Sequence, residues 1–177
     1  LVGADLPPIP TDFLCIGEIR SNKGIEYSAE AADRANVHLT VVGKSTDSAY
    51  AGELLKDLTQ RPTVTIEDAF ISASEFGRYL AGARVILATY SHFSAQSGVV
   101  ARAIATGRAV ICSDHPSLRE QMGDYRGGRF VRYGDVSGLI TLMQGSWIDE
   151  WYDSRPTTIG SESAERAWNA YALALLG

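Results

Sequence analysis

Short apolar runs, each closed by a glycine or a small polar residue, alternate with helical stretches for most of the chain. Phe13–Gly17, Val37–Gly43, Val64–Ile66, Val85–Tyr90, Ala109–Cys112 and Phe130–Val131 read as strands. Between them lie helical stretches at Ile25–Ala35, Tyr50–Leu58, Ser74–Leu80, Gly98–Thr106 and Ser117–Met122, with Val136–Met143 after the last strand. Leu54, Leu55 and Leu58, with charges between them, give the second helix an apolar stripe. Ser72 or Ser74 stands as the N-cap of the third, and Gly107 has the residue type that closes the fourth. Strands separated by helices at this spacing are βαβ units, which build a parallel sheet covered on both faces. The expected fold is therefore α/β, a Rossmann-like parallel sheet with helices on both faces.

That architecture says where to look. In an open parallel sheet, ligands bind outside the carboxyl ends of the strands, near the switch in strand order. The loops of interest follow Ile16, Val42, Ile66, Tyr90 and Cys112.

Composition closes off other classes. With 177 residues the chain is long enough for one compact domain with a sizeable core. A net charge of −5 argues against nucleic-acid binding through bulk positive charge. No apolar run is long enough to span a bilayer, and no signal-peptide pattern is present. Cys15 and Cys112 each sit in an apolar run, so they read as buried thiols in a reducing, cytoplasmic compartment. His38, His92 and His115 lack metal-ligand spacing, so no metal site is expected. The chain begins at Leu1 and is read as a fragment of something longer.

Gly43-Lys44-Ser45-Thr46 looks like the end of a P-loop, but His38 stands where that motif requires a glycine. No GxGxxG follows the first strand. The first loop, Gly17 to Gly24 (GEIRSNKG), places Arg20 and Lys23 at the carboxyl end of a strand, where a helix begins. Cationic side chains there can meet a phosphate that helix N–H groups already favour. A solvated loop with surface charges fits the same residues equally. The second loop, Ser91 to Gly98, leads into a helix of small residues. Ser97, Gly98 and Val99 would offer free backbone N–H groups at its start. An ordinary helix start capped by Ser94 or Ser97 fits as well.

Taken together, these segments resemble a family. GEIRSNKG, FISASEFGRYLAGARVILATY and LATYSHFSAQSGVVARAIATGRAVICSD, followed by Glu120, Gly128 and Asp135, are similar to the nucleotide-sugar-binding half of family 4 glycosyltransferases. Those are retaining enzymes of the two-domain GT-B fold, and the likeness covers Phe13 to Met143. The resemblance implies a donor-binding domain over residues 1–177, with a Rossmann-like core at 13–143. Residues 144–177 would form a crossing segment and a C-terminal helix. It implies that Arg20 and Lys23 hold the donor diphosphate with the N–H groups of Ser97, Gly98 and Val99. Ser94, Ala95 and Gln96 would face the donor sugar. Gly43, Phe70 and Ile71 would border the nucleoside, and Arg102 is either a substitute contact there or a surface arginine.

Departures accompany the likeness. The usual member has one glutamate in the sugar loop and another in the helix after it. Ser94 and Arg102 occupy those positions here. The arginine common after the first glycine is Glu18. Some members lack the glutamate pair and carry Ile-Arg-x-x-Lys and Tyr…Ser-Gly loops instead. Ile19-Arg20…Lys23 and Tyr90…Ser97-Gly98 resemble that branch.

The implied activity is transfer of a sugar from a UDP- or GDP-sugar donor to an acceptor, without a cofactor or a metal. No catalytic residue is assigned. The implied partners are the nucleotide sugar and the acceptor-binding N-terminal domain of a parent protein, through whose remainder any membrane contact would run. A non-catalytic nucleotide-binding or scaffolding module of the same fold is the alternative, supported by the missing glutamates. A flavodoxin-like receiver is disfavoured, because it would need an acidic cluster after the first strand.

Overall fold

The computed structural model describes residues 7–155. They form one sheet of six parallel strands: β1 (Thr11–Ile16), β2 (Leu39–Gly43), β3 (Val64–Asp68), β4 (Ala83–Ala88), β5 (Ala109–Ser113) and β6 (Gly128–Val131). The spatial order is β3-β2-β1-β4-β5-β6. The chain therefore winds outward from β1 to one edge, returns, and winds to the other. The switch lies between β1 and β4, where Phe13 pairs with Val85 and Leu14 with Ile86.

Period-two alternation along the strands divides the core into two layers. Phe13, Cys15, Val41, Val85 and Ile111 face α1 (Ile25–Ala35), α2 (Ser48–Leu58) and α6 (Val136–Met143). Leu14, Val42, Ile86, Val110 and Cys112 face α3 (Ala73–Gly82), α4 (Gly98–Ala105) and α5 (Pro116–Met122). Both faces are covered, and so the strands read as apolar runs rather than as alternating ones. Cys15 and Cys112 are both free and buried.

Side chains fix where the helices begin. Asp47 accepts from Ala49 and Tyr50 N–H at the start of α2. Ser72 and Glu75 form a reciprocal capping box on α3, which settles the choice between Ser72 and Ser74. Ser97 caps α4 and Asp135 caps α6.

One segment differs from expectation. Residues 145–160 carry no obvious period, yet Trp147–Ser154 forms a further helix, α7. Trp147, Ile148, Trp151 and Tyr152 recur at helical spacing and pack on the α1-side core or beside it. Ser146 Oγ donates to Glu150 Oε1 at 2.7 Å across the first turn. The Gly, Ser and Asp residues around these aromatics obscure the period. The helix expected at Ser161–Leu176, with its stripe of Ala167, Trp168, Tyr171 and Leu175, lies outside the described residues.

Candidate functional site

The topological switch sets a crevice at the carboxyl ends of β1 and β4. Two loops line it, residues 17–24 after β1 and 89–97 after β4. They are in direct contact: Ser91 N–H donates to Asn22 O at 3.0 Å. Thr89 Oγ1 lies 3.4 Å from Gly24 O and 2.6 Å from Ser28 Oγ. Gly24 has φ 63°, and a Cβ there would come within 2.0 Å of the Thr89 carbonyl oxygen, so only glycine permits this approach.

Arg20 and Lys23 reach the crevice in different states. Arg20 is exposed and its Nε lies 3.1 Å from a Glu18 carboxylate oxygen. Lys23 is half-buried and forms no ion pair among the described residues. Its Nζ stands 4.3 Å from the Tyr90 ring centroid and 6.0 Å from that of Phe93. The two rings lie 4.6 Å apart. Burial, reinforced by the like charge of Arg20, pulls the Lys23 ammonium below the usual lysine range. The ring faces recover part of that cost, about 0.5–2 kcal/mol. Beneath Lys23 lies a cavity of about 20 Å³ bordered by Cys15, Gly17 and Tyr90, room for roughly one water.

α4 starts beside this cation. Gly98 and Val99 N–H have no partner among the described residues, whereas Val100 N–H donates to Ser97 Oγ at 3.3 Å. The expectation of a free Ser97 N–H is not met, because that group donates to Gln121 Oε1 at 2.9 Å. Ser97 is a buried N-cap, and its hydroxyl is 3.0 Å from Tyr90 OH. Burial pushes the Tyr90 phenol up to about 12, so it stays neutral. His115 Nε2 lies 2.9 Å from Tyr90 O; since a carbonyl only accepts, this nitrogen carries the proton.

Ser94 and Ala95 are exposed in the second loop, and Gln96 is half-buried with its Oε1 buried and unpartnered. Asn22 Oδ1, in the first loop, is buried and unpartnered too. Tyr50 OH, Arg108 Nε and Ser113 Oγ, outside the two loops, are buried and unpartnered as well.

Gly43 has φ 150°, and a Cβ on it would fall 1.7 Å from Gly17 O. Its bareness serves the crossing of two backbones, a reason different from the nucleotide approach expected of it. Phe70 is 83% exposed just beyond β3, while Ile71 packs against the α4-side core. Arg102 lies 4.6 Å from the Phe76 ring on α3, so it is a stacked arginine and not a loose surface one.

Sequence reasoning missed Gln121 and the role of His115. Gln121 left one signal, a polar residue one helical turn after Leu118 on the buried side of α5. His115 left none, because its partner is a backbone carbonyl.

The crevice thus unites a half-buried unpaired cation, a second cation and two open N–H groups at a helix start. Such an arrangement favours a phosphate or another compact anion.

This architecture is that of a GT-B glycosyltransferase domain. The chain belongs to the group 1 glycosyl transferases, whose family model matches residues 10–145. Among solved structures it is similar to the C-terminal domain of a group 1 glycosyl transferase family protein, LpcC, from Francisella tularensis. That match has 19% identity and a TM-score of 0.63, over 97% of this chain and 87% of the other. Sucrose-phosphate synthase from Thermosynechococcus elongatus matches at 24% identity and TM-score 0.70, over 97% of this chain and 45% of the other. The HepE protein of Anabaena, solved with UDP-glucose, matches at 16% identity and TM-score 0.66, over 94% of this chain and 44% of the other. The chain therefore spans less than half the length of those last two proteins. A search of curated protein sequences returned no match. Among the described residues, no helix is long and apolar enough to cross a membrane.

Proposed function

We propose that this chain is the donor-binding domain of a retaining glycosyltransferase that transfers a hexosyl group from a UDP- or GDP-sugar. The observation that carries the reading is Lys23, unpaired and half-buried beside the open N–H groups of Gly98 and Val99. A diphosphate between them would accept charge-assisted hydrogen bonds worth about 1.5–3 kcal/mol each. Arg20 would join after leaving Glu18, an exposed pair worth little on its own. Ser94, Ala95 and Gln96 border the donor sugar, and Gly43, Phe70, Ile71 and Arg102 lie toward the nucleoside. The structures of HepE with UDP and with UDP-glucose support a nucleotide of this kind.

The same groups would assist the reaction. As the glycosidic bond to the diphosphate breaks, negative charge builds on the leaving oxygens. Preorganised donors stabilise that charge more in the transition state than in the bound donor. The acceptor would come from the N-terminal domain of the parent protein. Holding both reactants in register is worth about 7–11 kcal/mol, and a lone donor domain forfeits it. This chain alone should bind donor and transfer no sugar.

The test is a thermal shift with UDP, GDP and ADP, followed by nucleoside diphosphate release from the matching donor with and without the rest of the parent. Stabilisation by one nucleotide, with turnover only in the whole protein, is the expected result. Stabilisation by none refutes donor binding. A second reading, a non-catalytic nucleotide-binding module, is favoured by Ser94 and the Phe76-stacked Arg102 at the glutamate positions. Binding with no turnover even in the whole protein would establish it.

A further inference from the structure

Gln121 grips the backbone of Ser97 at both its N–H and its C=O. Ser97 N–H donates to Gln121 Oε1 at 2.9 Å, and Gln121 Nε2 donates to Ser97 O at 2.8 Å. Both residues are 4% exposed. The remaining polar atom of Ser97 is used as well, its hydroxyl reaching Tyr90 OH at 3.0 Å and capping Val100 N–H.

An amide at this position is costly unless fully paired. Its companions on the buried side of α5 are Leu118 and Met122. An aliphatic side chain would fill the same space but leave the buried Ser97 N–H without its partner. What glutamine adds is geometry at the start of α4. It withdraws Ser97 N–H from the crevice and leaves Gly98 and Val99 N–H as the open donors. It also fixes the peptide plane from which the helix springs. Tyr90 completes the link: its ring carries Lys23 Nζ at 4.3 Å, and its hydroxyl holds Ser97. Gln121, Ser97, Tyr90 and Lys23 therefore form one connected unit running from α5 to the first loop.

We infer that Gln121 is a positioning residue for the nucleotide diphosphate: by clamping the Ser97 backbone it aims the Gly98 and Val99 N–H groups at the phosphates and keeps them in register with Lys23. The inference rests on the donor-binding reading of the same crevice. Gln121 touches no ligand, and its effect passes through Ser97.

Gln121→Leu removes both bonds at similar volume. Gln121→Glu keeps an acceptor for Ser97 N–H but sets a second oxygen against Ser97 O. Each is compared with the unsubstituted 177-residue chain by calorimetric titration with UDP or GDP, whichever binds, and by NMR titration with the matching nucleoside. The expected result is a loss of about tenfold or more in diphosphate affinity, with nucleoside affinity held within about twofold. Faster exchange of the Ser97 amide should accompany it in Gln121→Leu. Should the leucine variant fail to fold, the glutamate variant, equal in length and retaining one bond, carries the same comparison. A variant that melts earlier yet keeps its preference for diphosphate over nucleoside reduces Gln121 to a packing residue and overturns the inference. If the unsubstituted chain binds neither UDP nor GDP, the donor-binding reading itself fails, and the clamp falls with it.

Discussion

The two ends of the sheet use similar residues to opposite effect. At the amino end, α7 turns its aromatics onto the backbone and leaves them paired. Trp151 Nε1 donates to Gly107 O at 3.1 Å and Arg155 Nη1 to the same oxygen at 3.2 Å. Tyr152 OH donates to Arg84 O and accepts from Ala109 N–H. Trp147 Nε1 donates to Leu142 O at 2.8 Å, with the Arg129 guanidinium 4.5 Å from its ring. At the carboxyl end, Lys23 has ring faces but no ion pair, Asn22 Oδ1 and Gln96 Oε1 are unpartnered, and two helix N–H groups stay open, all among the described residues. Satisfied groups hold a fold together; a cluster of unsatisfied ones is held in place by the rest of the fold and stands ready for a ligand.

The sharpest way to break this contrast is Gly43→Ala. Gly43 stands at the ligand end but its bareness is structural, with Gly17 O lying 1.7 Å from where a Cβ would sit. Overlap with backbone cannot be relieved by a rotamer change. The substitution should cost upwards of ~3 kcal/mol in chemical denaturation. A loss of nucleotide affinity at full stability would instead restore the nucleotide-approach role. Trp151→Ala comes next and should cost about 2–4 kcal/mol, since the indole packs against Tyr125 and Gly127 and holds Gly107 O. Nucleotide diphosphate affinity of the folded variant should not change. Altered affinity would show that the two ends are coupled.

Joint replacement of Arg20 and Lys23 by Ala should reverse that pattern. Diphosphate affinity should fall by about tenfold or more while the fold persists, and unchanged calorimetric affinity would remove the diphosphate from this crevice. Lys23→Met separates the two effects. Burial holds the folded Lys23 below its unfolded value, so the unfolded chain binds more protons in the window between those two values. Stability therefore rises with pH through that window, and below it the buried charge is a net cost. Removing it should raise the ligand-free melting temperature at neutral pH. A lower melting temperature would mean that the ring contacts outweigh the burial.

Local pattern made most of the fold legible. β1 to β6 announce themselves because strands covered on both faces are continuous apolar runs, and serines mark the starts of α3 and α4, although only the structure selects Ser72 over Ser74 and Ser97 over Ser94. α7 was hidden, since its helical period rests on four aromatic and aliphatic residues set among Gly, Ser and Asp. The first-loop cations were visible as residues, but their inequality was not. Arg20 paired with Glu18 and Lys23 lodged on Tyr90 are outcomes of tertiary placement. Ser97 shows the same limit more sharply. Its place at a helix start suggests a free N–H, and only α5, folded against it from 24 positions onward, brings the Gln121 amide that takes it.

The smallest effect expected concerns the two cysteines, which lie on opposite faces of the sheet. Burial pushes both thiols up to about 12. At neutral pH the reactive thiolate is therefore scarce, and neither should label within minutes in native buffer. The environments still differ. Cys15 is 7% exposed and borders the cavity beneath Lys23, whereas Cys112 is fully buried in β5. A reagent can reach Cys15 through opening of the crevice loops alone, but reaching Cys112 requires loosening of the sheet. Loop openings cost less than global ones, so Cys15 should label first under slow, native-state conditions. A nucleotide diphosphate that bridges the 17–24 loop and α4 would suppress that opening and slow Cys15 further, leaving Cys112 unchanged. Mass spectrometry of a labelling time course resolves the two sites. Equal protection of both cysteines by nucleotide would show that ligand binding stabilises the domain as a whole and not the crevice loops in particular.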